Sequence, residues 1–165
     1  MEQLNGKDIP LHGKVWNEVI NNFEPIFKRQ THYSVFILSL SIGIMYDKQI
    51  IEFEHSDDLM SVPRSVITNH MNEFDFIFKS AILTTENENF TEDERLNLAF
   101  GDEKENEFDV RNFFIKFANY GVIKLQELIS KNNVETMENL KNFLKSLMEN
   151  NCLDNCEFAN DINEY

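Results

Sequence analysis

The run YSVFILSLSIGIMY, Tyr33–Tyr46, is apolar around most of a helical circumference, and its second half carries the small residues Ser39, Ser41 and Gly43. A helix without a polar face has to be wrapped by other elements, so this run predicts the central core helix. Its small residues predict that a neighbouring backbone comes close. Upstream, Val15, Trp16, Val19, Ile20, Phe23, Ile26 and Phe27 recur at intervals of three and four. That is the stripe of an amphipathic helix, in which Pro25 should force a kink or a restart. Lys28, Arg29 and His32 follow at its end, where cations suit the negative pole of the helix dipole.

Downstream, Gln49–Glu54 (QIIEFE) alternates in part and suggests a short strand, with Met60–Val62 as its partner across the polar turn at His55–Asp58. Pro63 favours extended backbone before it and a short helix after it, over Arg64–Met71. Phe74, Ile77, Phe78, Ala81 and Ile82 predict a helix, and Thr91 with Glu94 has capping-box spacing ahead of Leu96, Leu98, Ala99 and Phe100. Asp109 should cap a helix whose Val110, Phe113, Phe114, Phe117 and Ala118 face inward, continuing through Gly121 to Ile129. Val134, Met137, Leu140, Phe143, Leu144, Leu147 and Met148 form the most regular stripe of all and predict a C-terminal helix.

The reading is therefore a mainly α fold: a single compact helical domain of about six helices over 14–149, with room for one short β-hairpin. Residues 1–13 are expected to be a flexible N-terminal arm without core residues, and 150–165 an acidic C-terminal tail that frays. The length of 165 residues at 42% hydrophobic content suits one core, and fifteen Phe exclude a wholly disordered chain despite a net charge of −14. That charge repels phosphate backbones, so direct nucleic-acid binding is not expected. The acid is concentrated in the middle: Thr85–Asp109 holds ten acidic residues against Arg95 and Lys104. A solvated face is the common meaning of such a block, and a site for a basic partner the less common one.

Chemistry is thinly marked. No GxSxG, HExxH, P-loop or GxGxxG occurs, so an enzyme is not expected, and no catalytic, cofactor-binding or metal residue is assigned. His12, His32, His55 and His70 are scattered, and Asp57-Asp58 lacks the spacing of a calcium loop. Cys152 and Cys156 form no disulfide framework and have no nearby activating base, which suggests a reducing compartment. The N-terminus lacks a signal pattern and Val35–Met45 is too short to span a bilayer, so the expected location is the cytoplasm, with no membrane partner.

Four segments read together carry a resemblance: YSVFILSLSIGIMYDKQIIEF at Tyr33–Phe53, FDFIFKSAILTT at Phe74–Thr85, LNLAFGDE at Leu96–Glu103 and FFIKFANYGVIKLQELI at Phe113–Ile129. In order and spacing, over roughly residues 30–148, they resemble the small accessory proteins named Dnd system-associated protein 4, encoded beside bacterial DNA phosphorothioation and other phage-defence genes. Val35, Phe36, Leu38 and Gly43 match that family's VFxLAxxxGF helix, and Phe117, Ala118, Asn119, Gly121 and Leu125 match its YAnGGlexL segment. Tyr120 stands where the family commonly has Gly, Ser39 and Ser41 replace Ala, and the acidic middle is expanded.

The resemblance implies a nonenzymatic accessory or regulatory subunit of a defence complex that contacts a larger nuclease, ATPase or translocase. Glu92, Asp93 and Glu94 of the acidic middle and Asn119, Tyr120 and Lys124 of the Gly121 helix are the expected partner contacts. Homo-oligomerisation stays open. The alternative from another class is an acidic DNA mimic or antitoxin-like inhibitor. A third reading, a small DNA-binding module, would use Lys28, Arg29, Arg64, Lys116 and Lys124.

Overall fold

The computed structural model describes residue 4 and residues 7–29, 31–51, 59–101 and 108–149. Along the chain run β1 (Ile9–His12), α1 (Lys14–Phe27), α2 (Thr31–Met45), β2 (Leu59–Val62), α3 (Arg64–Asn69), α4 (Met71–Thr84), α5 (Glu92–Phe100), α6 (Val110–Gln126) and α7 (Asn133–Glu149). The fold is mainly α with one two-stranded antiparallel sheet. Among the described residues no helix is long and apolar enough to cross a membrane.

The sheet corrects two expectations. β2 pairs with β1, Ile9 opposite Val62 and Leu11 opposite Met60, where the expected partner was Gln49–Glu54. Residues 49–51 are not in a strand, and 52–54 lie outside the described residues. The N-terminal residues also contribute to the core: Leu4, Ile9 and Leu11 are buried. The alternation of Ile9 and Leu11 with Pro10 and His12 is a strand signal in a segment whose polar composition suggested an arm. Asp8 accepts the Arg64 backbone N–H at 2.8 Å, tying this strand to the first turn of α3. The tail at 150–165 lies outside the described residues.

Local rules explain most helix boundaries. Thr91 caps α5 in a full capping box: its hydroxyl accepts the Glu94 N–H at 3.3 Å, and the Glu94 carboxylate accepts the Thr91 N–H at 2.8 Å. Asp109 caps α6 by accepting the Asn112 N–H at 3.0 Å, and Pro63 precedes α3 in extended conformation. Pro25 does not restart α1, which runs through it to Phe27; it sits in the last turn, where only the Asn21 carbonyl loses a donor. α6 stops at Gln126, short of Ile129, and Leu128 and Ile129 pack against the core from the turn that follows.

The centre of the molecule is the pair α2 and α6, which make the most extensive helix contact in the fold. Its closeness rests on two glycines. A Cβ on Gly43 would lie 2.6 Å from the carbonyl carbon of Phe117, and one on Gly121 would lie 2.5 Å from that of Ser39. Each glycine thus receives the backbone of the other helix, and any side chain there would force the helices apart. Around this contact Phe36, Phe74, Phe78, Phe113, Phe114 and Phe117 form a chain of tilted and edge-on rings with centroids 5.1–6.3 Å apart. Full burial of one such ring contributes about 2–3 kcal/mol.

Candidate interaction surfaces

The six residues expected to contact a partner fall into two groups, and one of them is not at the surface. Asn119 is only 4% exposed. Its side-chain oxygen accepts the Trp16 indole N–H at 3.1 Å, and its amide nitrogen donates to the Ile50 carbonyl at 3.5 Å. Asn119 therefore joins α1, α6 and the segment after α2, and the contact role expected of it gives way to a structural one. Polar character on a helix read as partly exposed gave no hint of this, because the Trp16 partner is 103 residues away in sequence.

Tyr120 and Lys124, one turn apart on α6, do share a surface. The Tyr120 ring lies 6.0 Å from that of Tyr46, which the end of α2 presents to solvent, and the Lys124 ammonium sits 6.0 Å from the Tyr120 centroid. Lys124 also donates to both carboxylate oxygens of Glu127, at 2.8 and 3.1 Å, which raises its pKa above the usual lysine value. Met45 is exposed beside Tyr46 in the chain.

Glu92, Asp93 and Glu94 make up the exposed first turn of α5, where negative charge suits the helix dipole. They are not equivalent. Glu94 is spent on the cap, and the Thr91 backbone N–H and hydroxyl hold its carboxyl below the ordinary range. Glu92 and Asp93 make no ion pair among the described residues. Of the basic residues considered for DNA, Lys116 pairs with Glu88 at 3.5 Å and Lys124 with Glu127, so the basic face is partly neutralised by the protein's own acids.

Three features escaped the sequence reading. On α4, Phe76 is 72% exposed, with Leu83 exposed two turns further on. On α5, Phe100 is 66% exposed, with Leu96 exposed one turn before it. The two helices pack together: the Arg95 guanidinium donates to the Ile82 carbonyl at 2.7 Å, and the Lys79 ammonium lies 5.9 Å from the Phe100 ring. The four apolar side chains thereby share the outer side of one helical hairpin. The signal was present, since Phe76 falls outside the stripe of Phe74, Ile77 and Phe78.

The second feature is α7. Its stripe is real, but Val134 is 81% and Met137 58% exposed, and Leu144 is exposed too; Leu140 is the buried apolar residue among its described side chains. The third is a polar cluster joining α2 to α4. Glu73 accepts the Tyr33 hydroxyl at 2.6 Å and pairs with His70 Nδ1 at 3.0 Å, while the Tyr33 and His70 rings stack at 4.3 Å. The Tyr33 hydrogen bond, then the one from His70, lowers the Glu73 pKa, and burial chiefly raises that of Tyr33. Glu73 lies in the first turn of α4, so this cluster fastens a helix start to the core helix. Among the described residues no group of three His, Cys, Asp or Glu is placed to hold a metal ion. Comparison with protein-family models, with curated proteins and with solved structures finds no match.

Proposed function

We propose that this chain is a nonenzymatic accessory or regulatory subunit of a bacterial antiphage-defence system of the DNA phosphorothioation type, acting by contact with a larger nuclease or ATPase component. The resemblance to Dnd system-associated protein 4 supplies the system. The observation that supports a contact role is the aromatic pair Tyr46 and Tyr120 with Lys124, at the surface of the glycine-locked α2–α6 unit. Tyrosines on a rigid support are economical anchors: each offers a large ring and a hydroxyl while few torsions have to be ordered on binding.

The test is to mix the purified protein with the products of its neighbouring genes and to measure mass by size-exclusion chromatography with light scattering. A stable complex is expected, weakened at least about tenfold by Tyr46→Ala with Tyr120→Ala, as for the loss of central interface aromatics. Absence of any complex refutes the reading. The acidic-decoy alternative is supported by Glu92 and Asp93, which make no ion pair among the described residues. It requires salt-sensitive binding to a basic nuclease that Glu92→Lys with Asp93→Lys abolishes and the tyrosine variant leaves intact.

A further inference from the structure

Among the described residues, Lys28 and Asp47 take a positive φ without being glycine, and Asp47 (φ 44°) directly follows Tyr46. It closes α2 as a glycine would: the Asp47 N–H donates to the Ile44 carbonyl at 2.9 Å and the Lys48 N–H to the Gly43 carbonyl at 3.0 Å, the pair of bonds that ends a helix through a left-handed residue. Glycine would adopt this backbone at no steric cost, so an aspartate here is explained by what its side chain holds. Its two carboxylate oxygens accept the Thr85 hydroxyl at 2.6 Å and the Glu86 N–H at 2.8 Å, and its carbonyl accepts the Asn87 side-chain amide at 2.5 Å. Two residues on, the Gln49 amide donates to the Glu88 carboxylate at 3.4 Å, and the Ile50 N–H donates to the Lys116 carbonyl at 2.9 Å. The segment that carries Tyr46 is therefore fastened to the α4–α5 loop at Asp47 and to α6, the helix of Tyr120, at Ile50.

We propose that Asp47 is the positioning residue of the Tyr46–Tyr120 surface: by clamping the start of the α4–α5 loop it fixes the end of α2, so that the Tyr46 ring stands beside that of Tyr120. This rests on the reading of the two tyrosines as partner anchors and adds what holds them ready. The physical reason is order. The last carbonyls of a helix lack intrahelical donors, so its end frays unless other groups hold it. An exposed ring on a fraying turn has to be ordered anew at each binding event, which costs affinity. Bonds to three consecutive residues of the loop remove that freedom beforehand. Thr85 is only 2% exposed, so the clamp reaches the buried end of the loop and not its exposed part. Its two sides are 38 residues apart in sequence, and neither α2 nor the loop alone shows that Tyr46 is held.

Two variants open the clamp from opposite sides. Asp47→Gly keeps the left-handed backbone and removes the carboxylate, while Thr85→Val removes the hydroxyl at nearly the same shape and decides alone should Asp47→Gly not fold. Far-UV circular dichroism should show the folded helix content in both. In Asp47→Gly the Glu86 amide, which loses its acceptor, should exchange with deuterium at least about tenfold faster. In both variants the nuclear Overhauser contacts between the Tyr46 and Tyr120 rings should weaken, a change that a clamp serving the loop alone would not produce. Affinity for the larger partner should fall at least about fivefold in Asp47→Gly, and no further when Tyr46 is already alanine, because the effect passes through that ring. Ring contacts that persist overturn the proposal, even where Glu86 exchange quickens. So does an affinity untouched by Asp47→Gly where Tyr46→Ala reduces it, and so does an undiminished Asp47→Gly effect in the Tyr46→Ala background, which would make Asp47 a contact in its own right. If no neighbouring gene product binds, the larger-partner reading falls, while the ring contacts still decide whether Asp47 positions Tyr46.

Discussion

α6 and α7 are both helices of 17 residues with regular apolar stripes, yet they meet opposite fates. Nine residues of α6 are buried, Asn119 and Gly121 among them, whereas α7, among its described side chains, buries Leu140 and Thr136 and leaves Val134 and Met137 in water. Periodicity does not account for this, because the α7 stripe is the cleaner of the two. Approach does. Gly43 and Gly121 let α2 and α6 touch backbone to backbone, so every phenylalanine beside the contact is enclosed, while α7 has no glycine at its packing face and rests on α1 by a few side chains. A stripe states that a helix has something to bury; the spacing of its neighbour decides how much is buried.

Substitutions on the two helices should separate these fates, as read by urea unfolding. Phe117→Ala empties a fully buried site at the helix crossing and should cost about 4 kcal/mol. Gly121→Ala pushes a methyl into the Ser39 backbone and should cost about 3 kcal/mol, far above an ordinary glycine-to-alanine change in a helix, which normally stabilises. Asn119→Ala strands the Trp16 indole N–H and should cost about 2 kcal/mol, with a shifted emission from the chain's single tryptophan. Ser39→Ala should have the opposite sign: its hydroxyl is fully buried without a hydrogen-bond partner among the described residues, so its removal should stabilise by up to about 1 kcal/mol. Met137→Lys on α7 should change monomer stability by less than about 0.5 kcal/mol. A cost near that of Phe117→Ala would mean that α7 is covered within one chain and would erase the contrast.

Much of the architecture was legible where the physics is local. The capping box at Thr91 and Glu94, the Asp109 cap and the helix after Pro63 all stand as read, because each depends on residues at most four positions apart. The small residues of the Tyr33–Tyr46 run foretold a close backbone contact, although not that Gly121 would supply its other half. The pairing of Ile9–His12 with Leu59–Val62 was missed because strand partners are chosen at long range. For the candidate contacts, Tyr120 and Lys124 were legible as one turn of α6, while Tyr46 joined them only through packing.

What the amino-acid order determined alone is the set of helices, their caps and the existence of an apolar face on each, since these follow from backbone sterics and hydrogen bonds within a turn. Which faces are covered was a tertiary decision. It placed Asn119 inside with Trp16, left Phe76 and Met137 outside, and gathered Tyr46 with Tyr120, because burial depends on which elements can approach closely enough to exclude water, and a single chain has only so much surface with which to cover itself.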